Sequence, residues 1–494
     1  MNNLVVLPIF IPLLTGILLI FLRRYPLLQR WIGIVGLIVA LGFTGQLIRL
    51  IYTEGIQTLS VGGWPAPYGI PLVADMMSAL LVFMTLIVAI AILLVGFDSE
   101  NDRKHEKYFA YPLMLILVCG VNGSFLTGDM FNLFVFFEVM LISSYVLLTL
   151  GSQKMQLRQS IKYVLINLLS STLFVVAIAY LYSAAGTLNM AHLSERVAEA
   201  GQGGLLTVIS LLFLIVFGTK AALFLFFWLP GPYSAPPTVI SALFAALLTK
   251  VGIYAIFRVF TLIFYHEPSI THQLMMVMGA FSMILGSFGA VAPWRIRKIL
   301  AYNVIISVGF IGFGIGMASE MSLAGALYYL IHDMIAKAWI FILGGAIIGI
   351  AGTDRLRDIK GLIRYRPMLG WMFPLAVMAI AGVPPLSGFV GKAMILLSGV
   401  EEGYYLMTAI GLLTSLLALY SLLKVFIQSF WGEELLNEGE QHSSGKAALW
   451  PGAMLAALVI GLGLGAEWML RLMEPAVKTM LNPDLYIKAV MGRE

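Results

Sequence analysis

Apolar runs long enough to cross a bilayer follow one another along almost the whole chain, separated mostly by short loops. A membrane helix needs about 20 consecutive apolar residues. About fourteen such runs are present, near 4–22, 31–52, 74–96, 109–127, 130–150, 161–184, 205–228, 237–263, 273–292, 299–318, 322–350, 369–397, 404–430 and 449–468. Within hydrocarbon, backbone amides must be satisfied inside the protein, so a chain of this kind folds as a bundle of spanning helices. Only 11% of the 494 residues are charged, against about 25% in an ordinary soluble domain. No long polar linker divides the chain, which predicts one all-α polytopic membrane domain over 1–494. The hydrophilic stretch 432–448 reads as a solvated loop. Past 469, Leu470, Met473, Val477 and Met480 recur at helical spacing and predict an interfacial helix.

The loops alternate in charge. One set holds Arg23, Arg24 and Arg30; Arg103, Lys104 and Lys107; Lys154 and Arg158; Arg295, Arg297 and Lys298; and Arg355, Arg357, Lys360, Arg364 and Arg366. The opposite set is almost free of lysine and arginine, Arg196 being the clear exception. Basic loops stay cytoplasmic, so an even number of spans predicts both termini outside a cell membrane. Arg23 and Arg24 follow the first apolar run rather than precede it, the pattern of a retained helix rather than a leader.

Two parts of the chain resemble each other. Lys220-Ala221-Ala222-Leu223-Phe224 matches Lys337-Ala338-Trp339-Ile340-Phe341, and Pro236-Pro237 precedes Lys250 as Pro384-Pro385 precedes Lys392. Transporters often contain such repeats, with ion sites on interrupted helices near the midplane. Proline removes a donor and clashes with the preceding turn, so the Pro-Pro pairs are expected to supply the interruptions. Five-helix units over 109–263 and 273–430 would begin on opposite sides, which predicts an inverted repeat.

Charges at depth carry the chemistry. Each one at the centre of a membrane helix costs about 2.5–3.5 kcal/mol on the insertion scale. Lys220, Lys250, Lys337, Lys392 and Glu138 all sit there. Groups that can gain or lose a proton at that depth are the parts of a proton relay. Glu138 is expected to pair with Lys220 and to gate it. Lys250 and Lys392 are read as proton-transfer groups, Lys392 as the terminal one. Asp333 lies four residues before Lys337 on one helix face, which fits either a static intrahelical pair or a relay element. His332 has a side chain suited to proton transfer, and equally to a hydrogen-bonded core position. Arg258 cannot deprotonate and reads as structural or as a helix-end anchor. Lys424, toward the end of its span, reads as an anchor that snorkels.

Other chemistries find no foothold. The single cysteine, Cys119, excludes an internal disulfide, a Cys-ligated zinc site and an iron–sulfur cluster. There is no phosphate-binding loop, HExxH or dinucleotide fingerprint. The expectation is no cofactor, no metal, no catalytic residue and no nucleic acid. Energy must come from an ion gradient or from partner subunits.

At FFEVMLISSY, the KAxLF lysine, APP…K, RKILAYNVIISVGF, HDMIAKAWIF and VPPLSGFVGK, the chain resembles the antiporter-like subunits shared by respiratory complex I and the multi-subunit Mrp sodium/proton antiporters. The resemblance covers roughly residues 70–430. Glutamate at 138 with lysine at 392 is the combination of the D-type antiporter chains; N-type relatives carry lysine first, and M-type relatives glutamate last. L-type chains share the combination but are longer, with a lateral helix for which this sequence has no room. The resemblance implies fourteen helices, two inverted five-helix repeats, interrupted helices and a large hetero-oligomer of membrane subunits. It implies proton-relay roles for Glu138, Lys220, Lys250 and Lys392. Relatives often place histidine where this chain has Asp333, so the equivalence of His332 stays open.

The expected function is therefore proton translocation within an electrogenic Na+/H+ antiporter, with other membrane subunits as partners. A pumping subunit of a redox-driven complex is the alternative. A stand-alone carrier of an organic solute is disfavoured, because it needs one pocket rather than a row of titratable groups.

Overall fold

The computed structural model describes residues 2–97, 109–151, 153–433 and 445–492. The basic cluster Arg103, Lys104 and Lys107 and most of the 432–448 stretch lie outside the described residues.

The chain forms α1 (Leu7–Phe21), α2 (Pro26–Glu54), a two-stranded antiparallel hairpin of β1 (Gln57–Ser60) and β2 (Pro71–Ala74), then α3 (Met76–Val95), α4 (Ala110–Leu126), α5 (Met130–Thr149), α6 (Lys154–Ala185) and α7 (Met190–Ala200). It continues with α8 (Leu205–Ala221), α9 (Thr238–Leu262), α10 (Pro268–Val291), α11 (Ile296–Met317), α12 (Glu320–Ala351), α13 (Pro367–Ala381), α14 (Ser387–Glu401), α15 (Tyr405–Phe430), α16 (Leu449–Leu464), α17 (Ala466–Leu481) and α18 (Pro483–Met491). Among the described residues, ten helices are long and apolar enough to cross a membrane, and α1, α4, α8 and α13 are shorter apolar helices. This is the all-α polytopic class, consistent with the fourteen expected spans.

Local signals set the ends of these helices. Asp75 caps α3 in a reciprocal pair with Ser78, Asp129 caps α5 through the amide of Asn132, and Ser319 and Ser322 form the same box on α12. Each cap satisfies backbone donors that a helix start leaves without partners. Gly186 and Gly352 end α6 and α12 in the left-handed conformation.

Two expected spans are interrupted. The twelfth breaks into α13 and α14, with Gly382 at φ +90° and Pro384-Pro385 in the break. The seventh stops at Ala221, and the chain runs irregularly to α9 through Ala222 and Phe224, both at φ +62°. Here the sequence expectation needs correcting. Pro236-Pro237 does not interrupt a helix but leads into α9, with Pro237 as its N-cap residue. A helix start has amides without partners, so proline's missing donor costs nothing there.

Helix α9 is buried on all sides along its length, and α12 packs directly against it. These two helices form the centre of the bundle, while α2, α15 and α16 lie at its periphery. The close approach of α9 to α8 depends on Gly252. A β-carbon there would stand 2.5 Å from the backbone nitrogen of Ala221 and 2.9 Å from the carbonyl carbon of Lys220. Gly252→Val is expected to push α9 off α8 at a cost of about 1–3 kcal/mol, seen as a lower unfolding temperature of the purified assembly. An unchanged transition would show that the contact yields freely.

The basic loops around 295–297 and 355–357 meet at one end of the bundle. Arg295 bridges Arg355, Arg357 covers the Trp294 ring, and Arg297 donates to the carbonyls of Ser234 and Pro236. At the other end Leu72 bridges Thr127 and Asp129 bridges Asn189. Lys424 donates to the carbonyls of Val291 and Pro293, at 2.7 and 2.8 Å, so it anchors the end of α10. The helix expected past 469 is present as α17, and its apolar face is packed on the bundle. Met473, Val477 and Met480 of α17 are buried, and α17 packs on α3 and α12.

Candidate functional site

The site residues expected from the sequence fall into three clusters of polar groups inside the bundle. The first joins α5, α6 and α8. Glu138 Oε1 accepts a 2.5 Å hydrogen bond from Ser171 Oγ, and Ser171 Oγ accepts a 3.1 Å bond from Lys220 Nζ. The expected direct pair of Glu138 and Lys220 is thus spanned by a serine. Lys220 is buried, with its ammonium 5.2 Å from the centre of the Phe137 ring. Glu138 is only half-buried, on a helix whose exposed side carries Phe131, Val135 and Ile142.

This geometry permits a proton shift without free water. Lys220 gives a proton to Ser171 Oγ while Ser171 gives its own to Glu138, so an ammonium and a carboxylate become an amine and a carboxylic acid. Removing the hydroxyl breaks the chain. Ser171→Ala is expected to slow proton flux while leaving assembly intact, and Ser171→Thr to keep most of it. Equal flux in wild type and Ser171→Ala would show that the hydroxyl is bypassed.

The second cluster joins α9 to α12. Lys250 Nζ is 2.8 Å from Asp333 Oδ2, and Lys337 Nζ is 3.4 Å from Asp333 Oδ1. All three side chains are at most 1% exposed. Lys250 also donates to the Ala245 carbonyl at 2.6 Å, and Lys337 to the Asn303 carbonyl at 2.9 Å. Asp333 is therefore shared between a lysine of α9 and a lysine of its own helix, α12. If both lysines were charged, one carboxylate would balance only one of them. Such an arrangement is costly unless one group can discharge it.

The third cluster lies at the broken helix. Lys392 Nζ donates to the Ala381 carbonyl at 3.2 Å and to Ser415 Oγ at 3.1 Å. Ala381 ends α13, so the interruption frees the carbonyl that Lys392 uses. The ammonium also stands 4.8 Å from the Phe310 ring centre and 5.6 Å from that of Tyr329. His332 Nδ1 meets Ser387 Oγ at 2.8 Å, at the start of α14, while its Nε2 is buried without a hydrogen bond. The Tyr329 ring stacks on His332 with centroids 5.6 Å apart. His332 and Asp333 thus face different clusters from neighbouring positions on α12, and Tyr329 stands between His332 and Lys392.

The sequence reading missed several members. Ser171, Ser387 and Ser415 resemble any other serine in an apolar run. Asp75 is the buried partner of Arg258, at 2.7 Å, and Arg258 also covers the rings of Tyr254 and Tyr486. Arg258, which reads from the sequence as structural or as a helix-end anchor, is buried and ion-paired. Its partner shows in the sequence only as an acidic residue at the mouth of a span.

Comparison with known proteins follows the same lines. The family described as NADH:quinone oxidoreductase/Mrp antiporter, transmembrane, matches residues 127–418. The chain is 49% identical to the D subunit of a Na(+)/H(+) antiporter of Bacillus subtilis, covering 99% of this chain and 100% of that one. It is 44% identical to the D subunit of a Na(+)/H(+) antiporter of Alkalihalophilus pseudofirmus, over 99% of this chain and 100% of that one. Among solved structures, a chain of the Mrp complex from Dietzia sp. superposes with a TM-score of 0.90 at 28% identity, covering 100% of both chains.

Proposed function

Since the chain belongs to the NADH:quinone oxidoreductase/Mrp antiporter family and is of the D type, we propose that it is the proton-translocating subunit of an electrogenic Na+/H+ antiporter. It is a multi-span subunit of a membrane complex, a transporter rather than an enzyme. The finer reading is a lateral relay through Glu138, Lys220, Lys250, Asp333, Lys337, His332 and Lys392, parallel to the membrane plane. The observation that carries it is Asp333 held between Lys250 and Lys337. One carboxylate there couples lysines of two five-helix units, 109–263 and 273–430, which we take to be inverted repeats.

A proton taken up in one half reaches the other by displacement along this row. Glu138 gates Lys220 through Ser171, and Lys392 is the terminal exchange group at the broken helix. The half-exposure of Glu138 in a lipid-facing helix calls for a neighbouring membrane subunit to cover it. Sodium is assigned to a partner subunit, since Glu138 and Asp333 are already engaged by a serine and by lysines rather than set among oxygen ligands. The alternation of basic loops in the sequence supports an orientation with both termini of this chain outside a cell membrane.

Everted vesicles energised by ATP, without respiratory substrate, test this with the chain and its partner subunits present. Sodium is expected to collapse the pH gradient. No sodium response from a fully assembled complex would overturn the antiporter reading in favour of a redox-driven pump.

A further inference from the structure

A groove of about 700 Å³ opens between α2, α3, α16 and α17, away from the relay. Its walls are apolar, with Phe83 and Leu458 among them, and its rim carries Arg49, Tyr52, Trp468 and Arg471. Pockets for small molecules typically span about 300–1,000 Å³. Arg49 and Tyr52 lie in the last two turns of α2, and Trp468 and Arg471 in the first two turns of α17, so the polar rim sits at the end of the bundle that bears the hairpin.

We infer that this groove is a binding site for an acidic phospholipid. The occupant follows from the kinds of lining group. Apolar walls with a tyrosine, a tryptophan and two guanidiniums at one end match a lipid's acyl chains, interface and phosphate. Guanidinium binds phosphate in a fork, and two of them favour an anionic headgroup over a neutral one. Arg471 shares its charge with Glu467 at 2.6 Å, while Arg49 has no ion partner among the described residues, so a positive charge is left over at the rim. A lipid seated there braces α3 and α17, both of which pack on the Asp333 helix α12.

Lipids retained by the purified complex after detergent washing, identified by mass spectrometry, test this without reference to transport. Wild type is expected to keep a phosphatidylglycerol that Arg49→Gln/Arg471→Gln loses. Gly45→Leu offers a second variant that leaves the charges alone. A β-carbon at Gly45 meets only Phe83, at 3.9 Å, so the longer side chain can fill the groove without a backbone clash. It too should lose the lipid. Retention of phosphatidylglycerol by the fully assembled variants would overturn the site. So would its displacement by phosphatidylcholine, which marks a neutral lipid seam, or by inorganic phosphate, which marks a mere surface anion contact.

Discussion

Asp333→Asn is expected to abolish sodium-driven proton flux and also to weaken the protein. The carboxylate is the shared counter-charge of Lys250 and Lys337, and all three groups are sealed from solvent. Removing one partner of a buried pair costs about 3–5 kcal/mol, because the remaining charge keeps its desolvation penalty and loses its compensation. Here two ammonium groups would be left, so at least one must shed its proton for the fold to survive. A loss of activity alone would not separate transport from folding. The triple substitution Lys250→Met/Asp333→Leu/Lys337→Met does. Replacing a whole buried ion cluster by apolar groups is often neutral or stabilising. The triple variant should recover thermal stability and assembly yet carry no protons. Recovery of flux with it would mean that the cluster only holds α9 to α12, and the relay reading would fail. Lys250→Met alone is expected to cost less stability than Asp333→Asn, since Lys337 stays with its carboxylate.

Most of this architecture was legible in the sequence, because the bilayer imposes one rule on every helix. Apolar runs of fixed length and alternating loop charge mark the spans, and a lysine inside such a run is conspicuous whatever its partners. Partners were less legible. Asp333 matches Lys337 through the helical spacing that makes neighbours of residues four apart. Its shorter contact, to Lys250, crosses between helices to a residue more than eighty positions away, and no local spacing encodes that. Ser171 was invisible for a different reason: a serine in a membrane helix usually satisfies itself on the carbonyl a turn earlier. The Pro-Pro motif misled in one half because its effect depends on where it falls. At 384–385 it lies in a helix break, whereas at 236–237 it leads into a helix start.

Glu138→Gln is expected to abolish flux with little change in stability, the opposite balance to Asp333→Asn. Glu138 is half-exposed and bonded to Ser171 rather than directly to a lysine. The amide nearly preserves its shape and can still accept from the hydroxyl, so assembly and unfolding temperature should stay near wild type. What vanishes is the ability to take a proton. Without a carboxylate at the end of the chain, Lys220 has nowhere to send its proton through Ser171, and the shift that turns an ammonium and a carboxylate into an amine and an acid cannot occur. Glu138→Asp keeps the charge but shortens the reach by a methylene, so the 2.5 Å contact to Ser171 opens. Partial flux is therefore expected from it, recovering where water fills the gap. The measurement is sodium-induced collapse of the pH gradient in everted vesicles, set against the unfolding temperature of each purified complex. Wild-type flux in Glu138→Gln would remove Glu138 from the proton path, whatever its effect on stability. A lower unfolding temperature with a proportionate fall in flux would make it a structural carboxylate that serves the contact between this chain and the membrane partner beside it.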